Sequence, residues 1–111
     1  MSAPSRLERL RQLVAQGSGD PFPLYGLAME YKRLGRIEEA VRAFGRLLEL
    51  HPRYIPAYYQ FGTALVLSGD FEQARKTLAR GIRIAESQGN QHAREELVRA
   101  LEELEQEETG P

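Results

Sequence analysis

The sequence predicts an all-α fold of about six helices, stacked as repeated helical hairpins. Three observations carry this. First, the chain resembles itself at an offset of 34 residues. Laying 21–54 on 55–88 without gaps puts Tyr25 on Tyr59, Gly35 on Gly69, Glu38 on Glu72, Ala40 on Ala74 and Arg46 on Arg80. Small and apolar residues also match in kind: Ala28 on Gly62, Leu27 on Phe61, Phe44 on Leu78, Leu48 on Ile82. A period of this length is the mark of a stacked repeat architecture. Second, the apolar spacings follow the helical period, and no segment alternates with period two. Third, Pro and Gly fall between the periodic stretches, where helices start and stop.

The first helix is predicted over about 5–16, with Leu7, Leu10, Leu13 and Val14 on its apolar stripe. Ser5, three residues before Glu8, offers a capping box. Gly17-Ser18-Gly19 stops it. Asp20-Pro21 opens the second helix, an N-cap followed by a proline at the first helical position. Its inner face is Leu24, Leu27, Ala28 and Tyr31, ending near Leu34-Gly35, where glycine suits the left-handed closing residue.

The third helix runs over about 37–51, with Ile37, Ala40, Val41, Phe44, Leu47 and Leu48 inward. Pro52 blocks its continuation. Pro56 starts the fourth, with Tyr58, Phe61, Gly62 and Leu65 inward, and Ser68-Gly69 ends it. Asp70 caps the fifth, which runs to about Ser87 with Phe71, Ala74, Leu78, Ile82 and Ala85 inward. Gly89-Asn90 breaks the chain and supplies the next N-cap. The last helix, about 91–107, has only Ala93, Leu97, Ala100, Leu101 and Leu104 to bury, and a frayed tail is expected at 109–111.

These residues resemble the tetratricopeptide repeat, a helix–turn–helix family of 34-residue units. Counted from Pro21 and Ile55, the large apolar residue at position 4 is Leu24 and Tyr58. The large-then-small pair at 7 and 8 is Leu27-Ala28 and Phe61-Gly62. The aromatic at 11 is met by Tyr31 and less well by Leu65. The small residue at 20 is Ala40 and Ala74, and the aromatic at 24 is Phe44, with Leu78 a weaker match. Position 27 is small at Gly81 but not at Leu47. Position 32 is proline at Pro52 but Glu86 in the second unit.

The resemblance implies a right-handed superhelical array in one domain: a partial repeat helix at 5–16, repeats at 21–54 and 55–88, and a capping helix at 89–108. Its small residues imply close approach within each hairpin, where Ala28 and Gly62 let the helices touch. It implies a non-enzymatic interaction module rather than an enzyme. First helices of successive repeats line a concave groove in this family. Carried over, the groove residues are Phe22, Tyr25, Met29, Lys32 and Arg33, then Pro56, Tyr59, Thr63, Val66 and Leu67, with Arg94 from the last helix.

Two tyrosines and a methionine suit an apolar peptide or a partner's helix, with Lys32 and Arg33 orienting it. Two alternatives stand beside this. The same side chains could pack against the terminal helices. The module could instead be a scaffold that self-associates through its end faces into a homo-oligomer. The family's two-carboxylate clamp for chaperone tails would need Lys, Asn, Asn, Lys and Arg where Tyr25, Met29, Gln60, Asn90 and Arg94 stand, and only Arg94 keeps its type.

Composition narrows the classes further. The chain has 111 residues, a net charge of −1 and no cysteine, which removes disulfides and thiolate metal sites. Residues 1–85 hold 13 basic and 8 acidic side chains, whereas 86–111 hold 2 and 8. Such an asymmetry reads as solvated helix faces, or as a bipolar surface that steers a charged partner. No apolar run reaches membrane-spanning length, and the polar start Met-Ser-Ala-Pro-Ser-Arg lacks a signal-peptide core. A cytoplasmic chain, complete from Met1, is therefore expected. The excess of Arg over Lys suggests a bacterial source.

No nucleophile–base pair, phosphate loop or metal spacing occurs, so no catalytic residue, cofactor or metal is expected. His51 reads as a helix-terminal residue and His92 as exposed. The Glu run 102–108 reads as a solvated face rather than a calcium loop. Arg42, Arg46, Arg53, Arg75, Lys76, Arg80 and Arg83 are expected on second helices, a basic stripe without aromatic interleaving and so a weak nucleic-acid signal.

Overall fold

The computed structural model describes residues 3–109, with side chains through Glu107. Met1, Ser2, Gly110 and Pro111 lie outside the described residues, and with them the ends of the expected polar start and frayed tail. The described chain is six α-helices: α1 Arg6–Ala15, α2 Pro21–Arg33, α3 Ile37–Leu50, α4 Pro56–Leu67, α5 Phe71–Gln88 and α6 Gln91–Thr109. Thr109, assigned to the tail from sequence, continues α6. The helices form two compact units, Met1–Pro52 and Arg53–Pro111.

Local chemistry sets the helix ends. The Ser5 hydroxyl accepts from the Glu8 backbone N–H at 3.1 Å, and Asp20 Oδ1 from Phe22 at 2.9 Å. Asp70 Oδ1 accepts from Gln73 at 3.1 Å, and Asn90 from Ala93 at 3.0 Å. Each satisfies an N–H that the first helical turn leaves without a partner. The ends of α2 and α4 repeat one geometry 34 residues apart. Gly35 and Gly69 stand at φ +77° and +84°. Beyond them the Arg36 N–H donates to the Tyr31 carbonyl and the Asp70 N–H to the Leu65 carbonyl, both at 2.9 Å. That six-to-one bond is the Schellman closure, and its left-handed residue favours glycine.

In the first unit α2 and α3 form a hairpin and α1 lies along α2. Leu24, Leu27, Ala28 and Tyr31 face Ala40, Phe44, Leu47 and Leu48, all buried. In the second unit α4 and α5 form the equivalent hairpin, and α6 packs on both. Tyr58, Leu65, Leu78, Ala85, Leu97 and Leu104 form its core. A β-carbon on Gly62 would stand 2.5 Å from Leu78 Cδ2, so the expected close approach of this hairpin is present at that glycine.

Two inner-face expectations fail. Leu13 and Phe71 are 46% and 41% exposed, and Leu34, at the expected end of α2, is 46% exposed. Leu13 lies on a helix that buries no residue at all. Leu34 is the residue after α2, beyond the last turn that the hairpin covers. Phe71 is the first residue of α5, and its face lies outside the hairpin seam. Ala43, Ala57, Ala64 and Thr77 are buried instead.

Candidate functional site

Glu30 departs furthest from its residue type. Its side chain is 2% exposed. It sits on the inner stripe of α2, three residues after Leu27 and one before Tyr31. Arg33 donates to Oε1 from Nε at 2.6 Å, and Arg6 of α1 pairs with Oε2 at 2.9 Å. The hydrogen bond from Arg33, helped by the charges of Arg33 and Arg6, holds the Glu30 carboxyl below the ordinary carboxylate range, against a burial effect of opposite sign. Beside it, Arg11 Nε donates to the Tyr31 hydroxyl at 3.0 Å. The Arg11 and Arg36 guanidiniums stand 5.7 and 5.3 Å from the Tyr31 ring centroid. This cluster joins α1 to α2 and is structural.

The groove residues expected in the first unit take different roles. Phe22 is 69% exposed at the start of α2. Tyr25 is half-buried, with its ring edge-on to Phe44 at a centroid distance of 6.3 Å. Met29 is half-buried. Lys32 is half-buried too, and burial lowers its pKa. Arg33, assigned to ligand orientation from sequence, spends its guanidinium on Glu30. Tyr25, expected in the groove, thus also packs on the α2–α3 hairpin.

The second unit holds the better-formed site. Tyr59, Thr63, Val66 and Leu67 of α4 line a cleft of about 240 Å³, opposite Ala100, Glu103, Leu104 and Glu107 of α6, with Gly62 and Leu78 at its floor. Four expected residues therefore share one concavity. The α6 wall was not foreseen as a site. Its signal was available: Ala100, Glu103, Leu104 and Glu107 follow i, i+3, i+4, i+7 spacing. Pro56, at the first turn of α4, is not among the lining residues.

Arg94 stands apart from this cleft. Its Nε donates to Glu86 at 3.0 Å, across the α5–α6 turn beside Asn90, which caps α6. Arg42, Arg46, Arg75, Lys76, Arg80 and Arg83 are on α3 and α5 as expected, but Arg53 belongs to the connection before α4. His51 ends α3, its N–H donating to the Leu47 carbonyl at 2.7 Å, and His92 is exposed. Among the described residues no group of three or more His, Cys, Asp or Glu side chains could hold a metal ion. No helix of these residues is long and apolar enough to cross a membrane.

Comparison with known proteins agrees with this architecture. A family model for the tetratricopeptide repeat matches residues 31–92. A TPR repeat-containing protein of Pseudomonas aeruginosa is 28% identical over 98 residues, covering 88% of this chain and 93% of its own. The solution structure of a Bordetella parapertussis protein is 28% identical, with a TM-score of 0.81, over 95% of this chain and 91% of that one. A tetratricopeptide repeat domain protein from Salinibacter ruber is 31% identical, with a TM-score of 0.75, over 83% of this chain and 94% of that one.

Proposed function

The chain belongs to the tetratricopeptide repeat family, and from that premise we propose that it is a non-enzymatic adaptor whose α4–α6 cleft binds a peptide or helix of a protein partner. The family is generally one of protein–protein interaction modules, and the fold alone names no ligand. One observation carries the reading: Tyr59, Thr63, Val66 and Leu67 line a single cleft with α6. An aromatic, amphipathic wall against an aliphatic floor suits the insertion of a partner's apolar side chains. The exposed Phe22 and half-buried Met29 of α2 offer a second contact face. The ligand is not an acidic chaperone tail, because Tyr25, Met29 and Asn90 stand where the clamp needs Lys, Asn and Lys.

The test is affinity capture from native lysate with wild type, Leu67→Asp and Phe22→Asp as baits. Both altered side chains are well exposed, at 64% and 69%, so the variants should keep their helicity, which circular dichroism checks. A protein retained by wild type and lost by Leu67→Asp establishes the cleft. Retention by all three baits removes both faces from the function.

A second reading, self-association, draws on the first unit. Leu13 and Leu50, 46% and 59% exposed, border a hollow of about 210 Å³ formed by α1, the α1–α2 connection and the ends of α2 and α3. A concentration-dependent mass that Leu13→Asp and Leu50→Asp abolish would establish it.

A further inference from the structure

The cleft of the second unit has a one-sided charge. Its α4 wall comes from a helix, Pro56–Leu67, with no charged residue. Its α6 wall comes from the stretch after Arg99, where Glu102, Glu103, Glu105 and Glu107 occur without a single Lys or Arg. Glu103 and Glu107, one turn apart on the cleft-lining face, are exposed. Among the described residues neither has an ion-pair partner. Between them Leu104 is 3% exposed and Leu78, at the floor, 1%. An apolar trough is thus edged by two carboxylates whose counter-charge the cleft itself does not supply.

We propose that this cleft receives a cationic amphipathic helix of another protein, with its apolar side chains on Tyr59, Val66 and Leu67 and its Lys or Arg side chains on Glu103 and Glu107. This rests on the interaction-module reading above and names the partner's chemistry. An amphipathic helix laid in a groove is anchored by apolar residues at i, i+3, i+4 and i+7. From Tyr59 to Leu67 the α4 wall rises about 12 Å, room for two turns of such a helix. Opposite charge across the rim speeds encounter and rejects acidic ligands.

The chain's own α1 has a similar composition, with Arg6, Arg9 and Arg11 beside Leu7 and Leu10. It is already engaged: Arg6 holds Glu30, Arg11 holds Tyr31, and Leu10 would touch a β-carbon at Gly26. A partner's helix is therefore the occupant, rather than a second copy.

The test is fluorescence anisotropy with the full chain and three labelled peptides of about 14 residues, near the length at which isolated helices become measurable. One carries a Leu stripe with Lys and Arg elsewhere. The second replaces its basic residues with Glu. The third keeps the basic composition but scrambles the stripe. The variants are Leu67→Asp and the double change Glu103→Lys/Glu107→Lys, each checked for helicity by circular dichroism.

The expected result is that wild type prefers the basic striped peptide by at least about tenfold, less so as salt rises. The double variant should lose about as much for it and gain for the acidic peptide. Leu67→Asp should weaken both striped peptides. Equal binding of basic and acidic striped peptides overturns the charge assignment and leaves the interaction-module reading standing. Equal binding of the striped and scrambled basic peptides overturns the apolar seat. If no peptide binds while lysate capture still depends on Leu67, the helix assignment falls alone; if capture also fails, both readings fall. Sedimentation showing a wild-type oligomer that the double variant dissolves would make the occupant a second copy, which also overturns the proposal.

Discussion

Gly81 of α5 backs onto Tyr58 of α4 so closely that a β-carbon built there would stand 2.7 Å from Tyr58 Cβ and 2.9 Å from its Cγ. Tyr58 is fully buried, and those two atoms sit next to its backbone, so it has little room to yield. The second hairpin closes around this contact and the one at Gly62.

Gly81→Ala should therefore overpack the α4–α5 seam and destabilise by about 1–3 kcal/mol, and Gly62→Ala by less, because its β-carbon meets only the side chain of Leu78. Gly26→Ala is the control. Its β-carbon would meet only the mobile end of Leu10, at 3.1 Å, and alanine gains up to about 1 kcal/mol over glycine inside a helix. Urea midpoints of the three variants check this. Equal effects at all three positions would mean that helix propensity, not the seam, sets the response.

The Glu30 carboxyl, held below its ordinary pKa chiefly by Arg33, gives the fold an acid-sensitive contact. A carboxylate whose pKa is lower folded than unfolded stabilises fully above the unfolded value. That contribution fades as pH falls through the ordinary carboxylate range towards the folded value. Glu30→Gln should lower the denaturation midpoint at neutral pH. The gap to wild type should narrow as pH is taken down to about 3. A gap independent of pH would show that shape, not charge, is what Glu30 supplies.

Helix α1 buries no residue and is tied to α2 through Arg6–Glu30 and Arg11–Tyr31. Elements with few buried apolar contacts open at low free energy. Amide exchange in α1 should thus be faster than in α2 and α3, and faster still in Arg6→Ala. Equal protection of α1 and α2 would contradict this.

Asp70 caps α5 through Gln73. Asp70→Ala should cost about 1 kcal/mol and Asp70→Ser much less, because serine also accepts that bond. Thermal melts of the two variants against wild type decide it.

Much of the cleft was legible in the sequence and much was not. Tyr59, Thr63, Val66 and Leu67 were reached through the family resemblance, which carries groove positions over from one repeat to the next. The α6 wall was not, because a Glu-rich helix reads as solvated until a neighbour is seen to use its one apolar stripe. Tyr25 shows a complementary limit: a groove position can also reach the seam, and its ring meets Phe44 edge-on. Glu30 had a signal in its place on the Leu24–Leu27–Tyr31 stripe, with Arg33 one turn on, but charge outweighed position in reading it.

The six helices, their caps and the pairing of neighbours into hairpins are legible in the sequence alone. Those depend on side chains a few residues apart, such as Asp20 with Phe22 or Gly35 with the turn that precedes it. The packing of the folded chain settles which apolar residues of the expected inner faces stay in water, Leu13 and Phe71 among them, and that Glu30 is buried between two arginines. Only that packing places Glu103 and Glu107 on the rim of an apolar cleft. Helical periodicity defines a face; what covers that face is set by residues distant in the chain, and their arrival fixes both burial and charge.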